Sequence, residues 1–196
     1  MPNIDPALHG RTLEQLSRSL LPGAWIIEIE KPIATLLGSC VAVCLYDPEL
    51  RMGGMNHFML PDMGKRDHAT HDTLLSGDYA MEALLNGMLM KGAKKNRLQA
   101  KAFGGGTIIA NLAGTGIGER NVAFAKEWLK TEGIPLIASD FLGPWSRKVI
   151  FEPASGDAFC RRMEREDTQA ERIAREEAAY RKNLARKPIK ANIELF

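Results

Sequence analysis

The chain has 196 residues, 45% of them apolar and 26% charged, with a formal net charge of +2, which suits one soluble domain of ordinary size with an appendage. So small a charge gives no argument for nucleic acid as a partner, and no apolar run reaches the 18 or so residues of a membrane span, so membrane insertion is not expected. Three cysteines do not make a disulfide framework, and reduced thiols are expected.

Residues 1–23 read as a polar leader with a short helical piece, "TLEQLSRSLL", ended by Pro22-Gly23. Its scattered charges lack the unbroken apolar core of a secretory signal, so a cytoplasmic location is expected. "AWIIEIE" predicts a strand, with Pro32 as its punctuation. "IATLLGS" leads into "CVAVCLYD", whose β-branched and small residues suit a buried strand, and Asp47-Pro48 starts a turn. "RMGGMNHFMLP" predicts a second strand closed by Pro61. Paired as a hairpin, the two strands carry Cys40 and His57 into one neighbourhood.

Residues 62–77, "DMGKRDHATHDTLLSG", are polar and read as a mobile loop. "DYAMEALLNGMLMKGAK" places Met81, Leu84, Leu85, Met88 and Leu89 at helical spacing and stops near Gly92. "LQAKAFGGG" predicts a strand running into a glycine turn. "GERNVAFAKEWLKTEG" predicts a second amphipathic helix, with Val122, Ala125, Trp128 and Leu129 on one face and Gly133 as its stop. "IPLIASDF" and "RKVIFEP" predict further strands, and "ASGD" a hairpin turn before "AFCRR". From residue 161 the composition turns to Arg, Glu and Ala, which reads as a solvated charged helix or a docking helix for a protein partner. The divisions expected are therefore a leader at 1–23, a folded domain at 24–160 and a charged helical tail at 161–196.

Cys40 and His57 admit two readings: a buried small hydrophobe beside a satisfied strand histidine, or a nucleophile–base pair. A cysteine nucleophile must become a thiolate, which needs an adjacent base or a positive environment. Gly38-Ser39 before Cys40 makes a turn-then-strand setting that leaves N–H groups free for an oxyanion, and Gly53 and Gly54 remove bulk as a cleft requires. Cys44 lies four residues along the same strand, on the same face, in apolar surroundings that suit a structural thiol. Cys160 sits beside a basic pair and reads as incidental. Cys40, Cys44, His57, His68 and His71 could supply metal ligands, but their spacing fits no common zinc pattern, so no metal is expected. The glycine run "FGGGTIIANLAGTGIGERN" lacks the Gly-Lys-Ser/Thr of a phosphate loop; close backbone packing or a cleft wall suits it better. No cofactor is implied.

The blocks "LGSCVAVCLYD", "GGMNHFMLP", "KAFGGGT" and "IGERNVAFAKEWLKTEGIPLIASDFLG", in this order and spacing, resemble the CheD family of chemoreceptor glutamine deamidases over residues 24–160. The L-G-S-C-V block with H-x-M-L-P starting seventeen residues after the cysteine, and the later I-G-x-R-N-V block, carry the resemblance. It implies a hydrolase that converts glutamine side chains of methyl-accepting chemotaxis receptors to glutamate and ammonia through a cysteine thioester. It also implies a layered α+β fold like the cytotoxic necrotizing factor type of cysteine deamidase, with β-sheets and flanking helices. Carried over, Cys40 is the nucleophile and His57 the base. Thr35 is the third catalytic residue, although some relatives have threonine one position earlier, where this chain has Ala34. Gly38, Ser39 and Gly54 are the expected oxyanion and cleft residues. Receptors, and a CheC-type phosphatase, are the partners implied. A binding module with little catalysis, and amine transfer to the thioester in place of hydrolysis, are the competing readings.

Overall fold

Residues 41–47 look into two different apolar environments by turns, and that alternation organises the molecule. Val41, Val43 and Leu45 pack into one cluster, while Cys40, Ala42 and Cys44 pack into another. Both faces of this strand are covered, so its side chains read as a nearly continuous apolar run rather than as an alternating one. The computed structural model describes residues 12–60, 71–107, 116–163, 173, 175–180 and 182, of which 71–76 are described by backbone alone.

The described strands are β1 (Arg18–Ser19), β2 (Trp25–Glu28), β3 (Ile33–Leu37), β4 (Val41–Asp47), β5 (Met52–Phe58), β6 (Gln99–Gly104), β7 (Leu136–Phe141), β8 (Ser146–Glu152) and β9 (Asp157–Met163). The two long helices are α1 (His71–Met90) and α2 (Ile117–Thr131), and shorter helical stretches span residues 12–16, Lys95–Arg97 and 175–180. The strands form a four-stranded sheet in the order β1-β3-β8-β9 and a five-stranded sheet in the order β2-β5-β4-β6-β7. Pairing is antiparallel except between β1 and β3 and between β6 and β7. The fold is thus α+β, with two mixed sheets face to face and helices on the outer face of the larger one.

Ile33, Leu37, Val149 and Phe151 from the small sheet meet Ala42, Met55, Met59 and Phe103 from the large one. On the outer face, Met81, Leu84, Leu85 and Met88 of α1 and Val122, Ala125, Trp128 and Leu129 of α2 cover Val41, Val43, Leu45 and Phe58. Each large side chain so buried contributes about 1.5–3 kcal/mol of transfer free energy. Asn56 joins the sheet to α1: its Oδ1 accepts from the Val43 N–H at 2.9 Å and its Nδ2 donates to the Ala80 carbonyl at 3.1 Å.

The hairpin expected from the two apolar runs is present, with Ala42 opposite His57. Three expectations change. The helical piece of the leader covers only residues 12–16, because Arg18–Ser19 pairs with β3, with the Leu20 N–H donating to Ala34 at 2.8 Å. The loop read at 62–77 is already helix from His71; residues 61–70 lie outside the described residues. Gly77, which looked like a loop glycine, lies where α1 runs close to its neighbours: an added Cβ would sit 2.6 Å from Leu60. Leu89, placed on the apolar face by spacing, is exposed.

Candidate active site

Gly38, Ser39 and Cys40 form the link by which the chain leaves β3 in the small sheet and enters β4 in the large one. All three carbonyls of this link are engaged from one side. The Gly106 N–H donates to the Gly38 carbonyl at 2.7 Å and the Gly105 N–H to the Cys40 carbonyl at 2.8 Å. The Ser39 carbonyl accepts from Asn121 Nδ2 at 2.8 Å, while Asn121 Oδ1 takes the Leu60 N–H at 2.8 Å. Gly104, at φ +121°, approaches so closely that an added Cβ would fall 2.1 Å from the Cys40 oxygen, which only glycine permits. The glycine run is therefore a backbone clamp.

His57 reaches the same space from β5. Even-numbered residues of that strand face the helices and odd-numbered ones face the small sheet, so His57 points between the sheets beside Met55 and Met59. Thr35 arrives from β3 opposite, with its Oγ1 2.8 Å from His57 Nδ1. The Thr35 hydroxyl spends its one proton on the Leu20 carbonyl, 2.8 Å away. Its oxygen can then only accept, so Nδ1 carries the ring proton and donates it to Thr35. Nε2 is left as the lone-pair nitrogen, buried and without a hydrogen-bond partner among the described residues. It is an acceptor held ready for a proton.

The fourth participant comes from the tail. Glu177 is 2% exposed, and its carboxylate caps the link. Oε1 accepts from the N–H of Gly38 at 2.8 Å and of Cys40 at 3.0 Å. Oε2 accepts from the N–H of Ser39 at 3.0 Å and from its Oγ at 2.7 Å. The tail is thus not simply a solvated helix, because this part of it is buried against the sheets. A Cys40 sulfur, a His57 nitrogen and a Glu177 oxygen all lie within 4.8 Å of one another. Three such atoms could hold a metal ion, but the carboxylate oxygens are turned to the N–H groups and the hydroxyl of the link, two of them on each oxygen. The geometry describes an anion cradle.

Charge states follow from burial. Desolvation first, then the charge and hydrogen bond of Glu177, push the Cys40 thiol well above its ordinary range. Burial lowers His57 to about 4, against the opposing pull of Glu177 and of the Leu20 carbonyl. The proton therefore rests on sulfur and the imidazole stays neutral. With Glu177 in place, the pair is at rest.

Cys40, His57, Thr35, Ser39 and Gly38, all singled out in the sequence, meet here. Gly54 does not: it faces α1, where an added Cβ would meet Leu84 at 2.7 Å. Cys44 lies in the apolar layer between the sheets, its thiol pushed up by burial. Cys160, on β9, is pushed up to about 11 by burial and by Asp140. His68 lies outside the described residues. Sequence reasoning missed Glu177 and gave Asn121 no role. The legible trace of Glu177 was the stripe Ile173, Glu177, Tyr180, whose i, i+4, i+7 spacing interrupts a charged tail with two apolar groups.

The family model described as "CheD chemotactic sensory transduction" matches residues 59–162. The chain is 62% identical over 193 residues to "Probable chemoreceptor glutamine deamidase CheD 2" of Dechloromonas aromatica (strain RCB), covering 96% of this chain and 98% of that protein. A protein of the same name from Burkholderia thailandensis is 47% identical over 179 residues, covering 89% of this chain and 90% of the relative. "Probable chemoreceptor glutamine deamidase CheD 1" of Shewanella oneidensis is 40% identical over 194 residues, 96% of this chain and 91% of the relative.

Proposed function

The chain belongs to the CheD family, and from that membership we propose that it is a chemoreceptor glutamine deamidase acting in chemotaxis adaptation. Its reaction is hydrolysis of selected glutamine side chains of methyl-accepting receptors to glutamate and ammonia. The observation that carries the mechanism is the line Leu20–Thr35–His57–Cys40 facing three convergent backbone N–H groups.

With a glutamine side chain in place of the Glu177 carboxylate, His57 Nε2 takes the Cys40 proton and the thiolate sulfur attacks the side-chain carbonyl carbon. The carbonyl oxygen becomes an oxyanion held by the N–H groups of Gly38 and Cys40, each worth a few kcal/mol in such a site. Imidazolium His57 returns the proton to the departing ammonia as the C–N bond breaks, leaving a γ-glutamyl thioester. Water then gives up a proton to the same nitrogen and adds to the thioester, and breakage of the C–S bond releases glutamate and the thiol. Thr35 keeps the ring proton on Nδ1 throughout, the orienting role of a triad's third member.

The two facing sheets with cysteine and histidine between them support a fold of the cytotoxic necrotizing factor deamidase type. The catalytic unit is drawn from residues 24–160, with Leu20 of the leader as support. Among the described residues no helix is long and apolar enough to cross a membrane, which suits an enzyme that meets receptor helices in the cytoplasm. A CheC-type phosphatase is a second partner under this reading. The test is intact-mass measurement of a receptor cytoplasmic fragment incubated with the enzyme. A gain of about one dalton per site, absent with Cys40→Ala, is expected from replacing an amide by an acid through this cysteine. A fragment left unchanged by the wild-type protein would sink the reading.

A further inference from the structure

Glutamate is what deamidation leaves behind, and a glutamate of this chain already sits in the cradle. Glu177 fills it completely, two hydrogen bonds to each oxygen, one oxygen on the Gly38 and Cys40 N–H groups that face a reacting carbonyl. The side chain arrives on a helix, and its neighbours on that helix divide cleanly. Arg175, Ala178 and Ala179 are exposed, while Ile173 is 1% exposed and Tyr180 is half-buried. Tyr180 lies over the backbone of Gly23, where an added Cβ would come within 2.5 Å of its ring. One face of the helix therefore carries an aliphatic residue at −4, the carboxylate at 0 and an aromatic at +3. Meanwhile Cys40 is fully buried, so no external glutamine reaches its sulfur while this helix is seated.

We propose that the C-terminal helix is an internal product mimic seated in the substrate groove, and that this groove accepts a glutamine presented on an α-helix with an aliphatic side chain four residues before it and an aromatic three after. The inference rests on the deamidase reading above. The groove recognises a helix face rather than an extended peptide, and receptor segments enter by displacing the chain's own helix. The fit also makes position 177 a substrate position. With an amide there, the Cys40 sulfur bonds to the side-chain carbonyl carbon, the C–N bond breaks and ammonia leaves. Water then breaks the C–S bond, and glutamate is restored.

The experiment uses the full chain carrying Glu177→Gln, alone and combined with Cys40→Ala, followed by intact mass and peptide mapping. A gain of about one dalton at position 177, absent from the double variant, is expected if the helix sits as a substrate does. Glu177→Ala is expected to turn over a receptor fragment with a KM lower by roughly tenfold or more, because a tethered competitor acts at a millimolar effective concentration. If the amide at 177 persists while the fragment is still deamidated, the inference falls and the deamidase reading stands. A loss of turnover in Glu177→Ala likewise overturns it, by making Glu177 part of the machinery. No conversion of any substrate by any variant overturns both.

Discussion

Thr35 Oγ1 and His57 Nδ1 stand 2.8 Å apart across the gap between two sheets, and one hydroxyl thereby orients a ring that belongs to a different layer. Thr35→Val keeps the shape and removes the oxygen that the Leu20 carbonyl and the Nδ1 proton both engage. The expected result is a kcat lower by roughly 100-fold or more, with a stability loss of about 1–3 kcal/mol. Thr35→Ser restores the oxygen and is expected to recover most of the rate. Steady-state kinetics and denaturant titration of both variants check this.

Cys40→Ala and His57→Ala remove the two ends of one proton transfer. Each alone is expected to lower deamidation by at least about 1000-fold, and the double variant by little more, since groups acting as a unit do not add. Single-turnover mass measurements supply the rates. Independent, additive losses would contradict the pairing.

Asn121 holds two backbone groups that no other described side chain serves, the Ser39 carbonyl and the Leu60 N–H. It is fully buried, so Asn121→Ala leaves both unsatisfied. We expect a loss of about 2–4 kcal/mol, read as a lower urea midpoint. The rate should fall as well, because the Ser39 peptide is what aims the N–H cradle.

Gly104→Ala brings a methyl group against the Cys40 carbonyl at a backbone angle of φ +121°. Positive φ strain of order 1–3 kcal/mol adds to the collision. The variant is expected to lose about 3 kcal/mol or more and to displace the nucleophile, with activity falling further than stability alone explains. Thermal unfolding beside a rate measured well below the midpoint separates the two effects.

Acid should weaken the fold through His57. Its folded value of about 4 lies below the unfolded value near 6.5, so between these limits the unfolded chain binds a proton that the native ring refuses. The contribution is complete above pH ~6.5, declines as pH falls towards 4 and is flat below, by the linkage relation. Cys40 and Glu177 face the same ring, so the clean comparison is with His57→Gln. That variant is expected to lose on the order of 3 kcal/mol less over this window. Urea midpoints at pH 7.5, 5.5 and 4.5 provide the test.

Local pattern carried much of this molecule. Apolar runs bounded by Asp-Pro, Gly-Gly and Pro marked β4 and β5, and a Gly-Ser-Cys turn with a histidine on the next strand marked the site, because such signals depend on near neighbours. The helical spacing of Met81 to Met88 and of Val122 to Leu129 was legible for the same reason. What stayed hidden was long-range. Nothing near Arg18 and Ser19 announces a parallel partner in Ile33 and Ala34, and a sequence of Arg, Glu and Ala does not declare that one glutamate will be buried 137 residues from the cysteine it touches. Gly54 misled because a glycine that makes room for a helix and one that makes room for a substrate look alike in a string of letters. Thr35, by contrast, follows from strand alternation once the cysteine is placed: Ile33, Thr35 and Leu37 are buried on one side, and Ala34 lies on the other.

The crossing of the chain from one sheet to the other at Gly38-Ser39-Cys40 has a consequence for the life of the protein before it is fully folded. The large sheet brings Cys40 and His57 onto one hairpin, but the hydroxyl that orients the ring, Thr35, belongs to the small sheet, so the line of residues is complete only once the two sheets have docked on each other. A nascent or partly opened chain therefore carries a histidine whose tautomer nothing yet fixes. The orientation of the ring arrives together with the docking of the sheets, and in the docked state Cys40 is fully buried, so an alkylating reagent aimed at Cys40 reports whatever opening uncovers it.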